Sequence, residues 1–375
     1  MPRKITGTRA SRSALRMLAG MGVALAVACG DDEAGSSVPA GLPMGADHAW
    51  TWHEFPDAFC RDGSRATIAV SPSQGSKKLM IFLEGGGACF DALSCLANPA
   101  NTSSLFKIEK NAGLFNRTRA ENPVGDWNYV YVPYCTGDVH AGTNAEGSVQ
   151  GVQGTQKFVG YDNMSAFLKR IVPTFPDTER VLFVGSSAGG FGAAANVPQV
   201  LRAFPKAAGN LIDDSGPPMP ENVLPTCLQQ KWRDTWGLRG SMLKECGEDC
   251  PDDSNFVFDF GLHLAKTYNK SMAGTIEASE DGIIRSFFGA GANDCTSSIL
   301  SLTPTISGAD FTEGLLAFRD AVSEYPNFGT YYPPGTQHTW LSDDTSVYDT
   351  SVNGVKLVDW VRGIVTDEGT QHVGP

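Results

Sequence analysis

Val181-Leu182-Phe183-Val184-Gly185-Ser186-Ser187-Ala188-Gly189-Gly190 is the stretch that decides the fold. Its first four residues are all apolar, which suits a short strand buried on both faces. A Gly-x-Ser-x-Gly turn follows, and a helix is expected over 189–204. Such a turn, set between strand and helix, presents its central Ser at the end of a sheet strand. Glycines two residues before and after it clear side chains from the point where strand and helix approach. Ser187 is therefore read as a nucleophile. The N–H of Ala188 is expected to face an oxyanion, and Ser186 sits off the motif's centre. The bland alternative is a structural Gly/Ser turn.

Outward from this turn the pattern repeats. Residues 78–83 form an apolar run that ends in Glu84-Gly85-Gly86-Gly87. Residues 129–132 and 211–212 are further short runs, stopped by Pro133 and by Asp213-Asp214. Residues 163–172 carry Met164, Phe167, Leu168 and Ile171 at helical spacing. Helices are also expected over 312–322 and 356–365. Strand-helix alternation predicts an α/β layer fold with a mostly parallel central sheet. Residues 216–290, rich in Pro, Trp and Cys, read as an irregular insertion or cap. The Gly-rich turn after the early strand can supply the second oxyanion donor, from Gly86 and Gly87.

A Ser hydroxyl needs a base. In this fold class the order is Ser, then Asp or Glu, then His. Three His follow Ser187. His372 lies in a polar tail and His263 in an apolar helical stretch. His338 follows the aromatic run at Tyr331-Tyr332, near the C-terminus, and is the expected base. Asp294, in a Gly-rich loop next to Cys295, is the expected acid. Asp213 and Asp214 end a strand and read as shaping the pocket floor. Seven aromatics (Trp232, Trp236, Phe287, Phe288, Tyr331, Tyr332 and Trp340) are divided between pocket wall and core, mostly core.

Phe82-Leu83-Glu84-Gly85-Gly86-Gly87-Ala88-Cys89-Phe90, Gly185 to Gly190, Asp214-Ser215-Gly216 and Cys60-Arg61-Asp62-Gly63-Ser64 together resemble the pectin acetylesterase family, which includes the animal Notum carboxylesterases. The resemblance runs from about Thr51 to Leu341 and is strongest before residue 216. It implies an α/β-hydrolase fold and ester hydrolysis without metal or cofactor. It also implies a triad of Ser187, Asp294 and His338, with oxyanion donors at Gly86, Gly87 and Ala188. Gly87 stands where Notum carries Trp, a departure that counts against carrying over Notum's lipid-binding role. The expected reaction is hydrolysis of O-acetyl esters on carbohydrate through an acyl-enzyme. The competing readings are a lipase, polyester hydrolase or peptidase of the same fold, or a non-catalytic surface binding lipoprotein.

The ends and the composition bound the rest. Residues 1–28 carry five basic residues and no acid, then a small apolar run from Met17. They read as an export signal. Cys29 follows Leu25-Ala26-Val27-Ala28 as a lipidation site would, and 29–50 reads as a tether before the domain at 51–375. Removing the signal takes the formal charge from −12 to −17. So acidic a chain is a poor partner for nucleic acid. Membrane contact is expected only through a lipid on Cys29. The other eight Cys suit disulfides in an oxidising compartment, with Cys89/Cys95 and Cys246/Cys250 as local pairs. No His or Cys spacing suggests a metal site.

Overall fold

The computed structural model describes residues 40–102, 111–251, 255–291, 295 and 306–375. The export segment, Cys29 and Asp294 lie outside the described residues. The main sheet has nine strands. They are β1 (Thr51–Phe59), β2 (Arg65–Ser71), β3 (Lys78–Leu83), β4 (Asn128–Val132), β5 (Arg180–Ser186), β6 (Ala208–Asp214), β7 (Ala273–Ile276), β8 (Phe328–Tyr331) and β9 (His372–Val373). Their order across the sheet is β1-β2-β4-β3-β5-β6-β7-β8-β9. The β1–β2 and β2–β4 pairs are antiparallel. Every pair from β4 to β9 is parallel. This is the mostly parallel α/β sheet that the sequence predicts.

Among the described residues, ten helices accompany the sheet: α1 (Ala92–Ala97), α2 (Gly160–Thr174), α3 (Ala188–Ala203), α4 (Thr226–Trp236), α5 (Met242–Cys246), α6 (Phe256–Thr267), α7 (Gly282–Phe288), α8 (Gly308–Val322), α9 (Asp344–Asp349) and α10 (Leu357–Thr366). The strands are apolar on both faces because each face has its own core. Leu79, Ile81 and Leu83 of β3 pack with Phe167 of α2 and Val200 of α3. Met80 and Phe82 of the same strand belong to a second core with Trp360 and Ile364 of α10. The period of two splits each strand between the two cores.

Residues 216–290 are more regular than the sequence suggests. They hold four helices and β7, a strand inside the main sheet. The run Ala273-Gly274-Thr275-Ile276 hides this strand, since it has little apolar bulk. A Cβ on Gly274 would strike the Trp360 ring, so the small residue admits α10 against the sheet.

Four disulfides join Cys60–Cys135, Cys89–Cys95, Cys227–Cys295 and Cys246–Cys250. Both expected local pairs form. The two long-range bridges close loops of 75 and 68 residues. By loop-closure entropy each is worth about 4 kcal/mol. Such bridges persist in an oxidising, extracytoplasmic compartment, in keeping with an exported protein. Among the described residues, no helix is long and apolar enough to cross a membrane.

Candidate active site

The site lies at the carboxyl ends of the parallel strands, where open α/β sheets bind ligands. β5 is central. Ser187 caps it with φ 60° and ψ −122°, a conformation that non-glycine residues rarely adopt. A Cβ at Gly185 would collide with the carbonyl of Gly189, and one at Gly189 with the carbonyl of Leu83. The turn therefore closes only with glycine at both places. The Ser187 N–H donates to Asp214 O at 2.7 Å. Its side chain is free to point into the cleft, and Ala188 begins α3 directly behind it.

The Gly-rich loop follows β3. Gly86 and Gly87 take φ of 149° and 78°. Asn98 Nδ2 donates to Gly86 O at 2.8 Å. A trans peptide points its N–H opposite to its carbonyl. Holding that carbonyl on Asn98 therefore turns the Gly87 N–H the other way. Asn98 sits at the end of α1, a helix tied to the Gly-rich loop through Cys89–Cys95, and Arg61 donates to its carbonyl at 2.8 Å. Below the loop, His140 Nε2 lies 2.8 Å from Glu84 O. Burial pushes the His140 ring down to about 4, so it is a neutral donor there. Burial pushes the Glu84 carboxyl up to about 8, and its Oε2 accepts the Tyr134 N–H at 3.0 Å.

His338 follows β8. Its Nδ1 lies 2.6 Å from Asp281 Oδ2. Asp281 is fully buried. It caps α7, its Oδ1 accepting the N–H groups of Ile283 and Ile284 at 2.7 and 2.9 Å. Two backbone N–H groups and the imidazole thus converge on one carboxylate. The partner of His338 is thus the residue that starts a helix after β7. Asp281 was not singled out in the sequence, and Asp294 is outside the described residues.

Asp214 ties the two halves together. Its carboxylate accepts the Ser186 hydroxyl, the Ser215 hydroxyl and the N–H groups of Trp340 and Leu341. Ser215 Oγ also accepts the Thr339 N–H at 3.1 Å. Ser187, Ser215 and Thr339 all have positive φ, with values from 60° to 64°. Strain of this kind persists only where neighbours over-determine it. Asp213 has a different place, buried beside an apolar cavity under α6.

Two spaces meet at Ser187. An open cleft is lined by Gly85, Gly86, Gly87, Ser187, His338 and Thr339. On the other side lies a second space with almost wholly apolar walls. Its walls include Phe191, Trp232, Trp236, Leu238, Val257 and Phe288. Phe287 borders both spaces, and a Cβ on Gly87 would lie 3.2 Å from its ring. Four of the seven aromatics named from the sequence therefore line the cavity. Tyr331, Tyr332 and Trp340 are buried core. His263 lies on α6 against Asp249, at 3.1 Å, and His372 is in the edge strand β9. Among the described residues, no group of three or more His, Cys, Asp or Glu is placed to hold a metal ion.

The pectinacetylesterase profile matches residues 51–256, more than half of the chain. The chain belongs to the pectinacetylesterase family. Its similar relatives include palmitoleoyl-protein carboxylesterase notum2 of Xenopus laevis, 32% identical over 166 residues, covering 42% of this chain and 33% of the relative. The Drosophila melanogaster NOTUM is 31% identical over 154 residues, 38% of this chain and 22% of the relative. The human NOTUM is 29% identical over 156 residues, 39% of this chain and 30% of the relative. The chain thus spans about a third or less of the length of these relatives.

The family match contains Gly86, Gly87, Ser187 and Ala188 but ends before Asp281 and His338. The candidate acid and base therefore lie beyond the part of the chain that the family match covers. One signal for Asp281 was present in the sequence: Asp before Gly-Ile-Ile reads as a helix N-cap after a strand. Asp at such a cap has a second carboxylate oxygen to spare.

Proposed function

We propose that the chain is a serine carboxylesterase with Ser187 as nucleophile, His338 as base and Asp281 as the acid behind it. The observation that carries this is the 2.6 Å contact of Asp281 Oδ2 with His338 Nδ1, on the same cleft as the strained Ser187. Asp281 holds the imidazole in the tautomer whose Nε2 can accept the Ser187 proton. Ser187 Oγ attacks the ester carbonyl, and the oxyanion forms against the N–H groups of Gly86, Gly87 and Ala188. His338 protonates the leaving alcohol, and water then resolves the acyl-enzyme.

The sequence resemblance points to O-acetyl esters of carbohydrate. The apolar cavity favours a longer acyl group, because an acetyl would leave most of that surface unfilled. Each methylene buried is worth about 0.8 kcal/mol, roughly fourfold in kcat/KM. The names of the Notum relatives describe a carboxylesterase acting on an acylated protein, which fits an acyl group held in such a cavity. The open cleft takes the alcohol portion, carbohydrate or other. The missing side chain at Gly87 leaves Phe287 as the wall between the two spaces.

The basic and apolar N-terminal pattern, with Cys29 after small residues, supports export and a lipid anchor on the cell envelope. Secretion without the anchor is the second reading. Mass measurement of the mature N-terminus separates them. The function itself is tested with p-nitrophenyl esters from acetyl to octanoyl, run beside acetylated pectin and xylan. Rising kcat/KM beyond acetyl is expected. A maximum at acetyl, with release from either polysaccharide, would restore the acetylesterase reading. No ester turnover and no fluorophosphonate labelling would leave a binding scaffold.

A further inference from the structure

Behind the Asp281–His338 pair lies a carboxyl group that the proposed reaction does not use. Glu277 directly follows β7 and is fully buried. Its backbone N–H donates to Tyr331 O at 3.1 Å. Among the described residues, neither of its side-chain oxygens meets an N–H or O–H donor. Instead its carboxyl lies in hydrogen-bond contact with that of Asp281. Two carboxyl groups in contact can bond only when one of them carries a proton.

The neighbours decide which one. Asp281 Oδ1 already accepts two backbone N–H groups, and its Oδ2 faces His338. Those donors serve an anion. Glu277 has no such donors. The charged groups that act on it are Asp281, Asp213 and Asp214, all acids. Tyr332, beside it after β8, is buried, and Arg319 acts on its ring. A buried, donorless carboxylate among three acids is very costly, and its neutral form is favoured. Burial and these acids hold the Glu277 carboxyl well above its usual range.

We propose that Glu277 is a positioning residue: it keeps its proton, donates it to the Asp281 carboxylate, and so fixes that carboxylate and moderates its pull on His338. The proposal rests on the serine-esterase reading above. Removing the donor leaves more charge on Asp281, which stabilises the imidazolium and raises the apparent pKa of His338. The acid limb of kcat/KM then moves to higher pH, because the base must be neutral to work.

The test compares the parent, Glu277→Gln and Glu277→Met by NMR titration of the His338 ring and by the pH profile for p-nitrophenyl butanoate. Gln keeps a neutral donor, so both readings should stay within about 0.3 pH unit and kcat within threefold of the parent. Met removes the donor. Its His338 titration should rise by about half a unit or more, with kcat down roughly tenfold and KM little changed. A Gln variant whose His338 titrates lower would mean that Glu277 is ionised, and the proposal fails. A Met variant that folds and leaves the titration unmoved also overturns it. If the Met variant does not fold, the Gln titration alone decides: parent-like supports, lowered refutes. The ring titration needs no turnover. Lack of esterase activity in the parent would sink the functional reading while the assignment of the Glu277 proton stays decidable.

Discussion

Asp214 Oδ2 accepts the Ser186 hydroxyl at 2.6 Å and the Trp340 N–H at 3.0 Å, linking the residue before the candidate nucleophile to the second residue after the candidate base. One buried carboxylate thereby sets the register between two loops that are far apart in the chain. Asp214→Asn keeps the shape but turns an amide N–H toward groups that are themselves donors. Hydrogen bonds to a charged group are worth about 1.5–3 kcal/mol each. We expect kcat to fall by about ten- to a hundredfold, KM to change little, and Tm to drop. Steady-state kinetics with a melting curve checks this. An unchanged kcat would mean that Asp214 is only a floor.

The acid is tested by a pair of variants. Asp281→Asn should cost about ten-thousand-fold in turnover, as loss of the tautomer-fixing carboxylate does in a comparable triad. Asp294→Asn should stay within about tenfold of the parent, since another carboxylate already holds His338. The reverse ranking, with both variants folded, would return the role to the Asp294 loop.

Ser187→Ala should abolish fluorophosphonate labelling and lower turnover by several orders of magnitude. Ser186→Ala should still label, because it removes one donor from Asp214 and leaves the nucleophile in place. Labelling that is lost in Ser186→Ala and kept in Ser187→Ala would shift the reacting oxygen by one residue.

The acyl cavity predicts a change of preference. Val257, on its wall, replaced by Phe should shorten the space. Octanoyl ester turnover should fall by at least tenfold relative to acetyl ester turnover, from a few methylenes left unburied at about 0.8 kcal/mol each. Equal losses on both esters would argue against this cavity as the acyl site.

Glu84 predicts a pH dependence of stability. Its folded carboxyl is pushed up to about 8 from an ordinary value of 4.5. Between those values the folded state binds the extra proton, so stability falls as pH rises across the window. The full contribution is present below the ordinary value and is gone above about 8. The parent's Tm should therefore decline from pH 6 to 9 more steeply than that of Glu84→Gln. Parallel curves would show that this group is not the source.

Much of this was legible in the residues. The β3 and β5 runs announce themselves, because strands with a core on each face show unbroken apolar sequence. Ser187 and the Gly-rich loop stand out because their turns require glycine. His338 was found by elimination among few histidines. Asp281 was harder to find, since its role comes from the parallel pairing of β7 with β6 and β8, and β7 has almost no apolar signature. Asp214 is legible in the sequence only as the end of a strand. A strand-end Asp looks the same in sequence whether it faces water or gathers four donors. The cavity was hidden for a related reason: a wall of Trp and Phe has the same composition as a core.

The cavity's lining has a bearing on how this enzyme scaffold can change. Trp232, Trp236, Leu238, Met242, Phe256 and Val257 all come from one continuous stretch. The groups proposed for bond-breaking come from turns elsewhere, after β3, β5, β7 and β8. If the cavity takes the acyl group as proposed, much of its selectivity is carried as a cassette between β6 and β7, closed by Phe191 of α3 and by Phe287 and Phe288 of α7. A transplant of that stretch from another member could retune chain-length preference and leave the reactive turns untouched, and drift within it would diversify substrates at little risk to turnover.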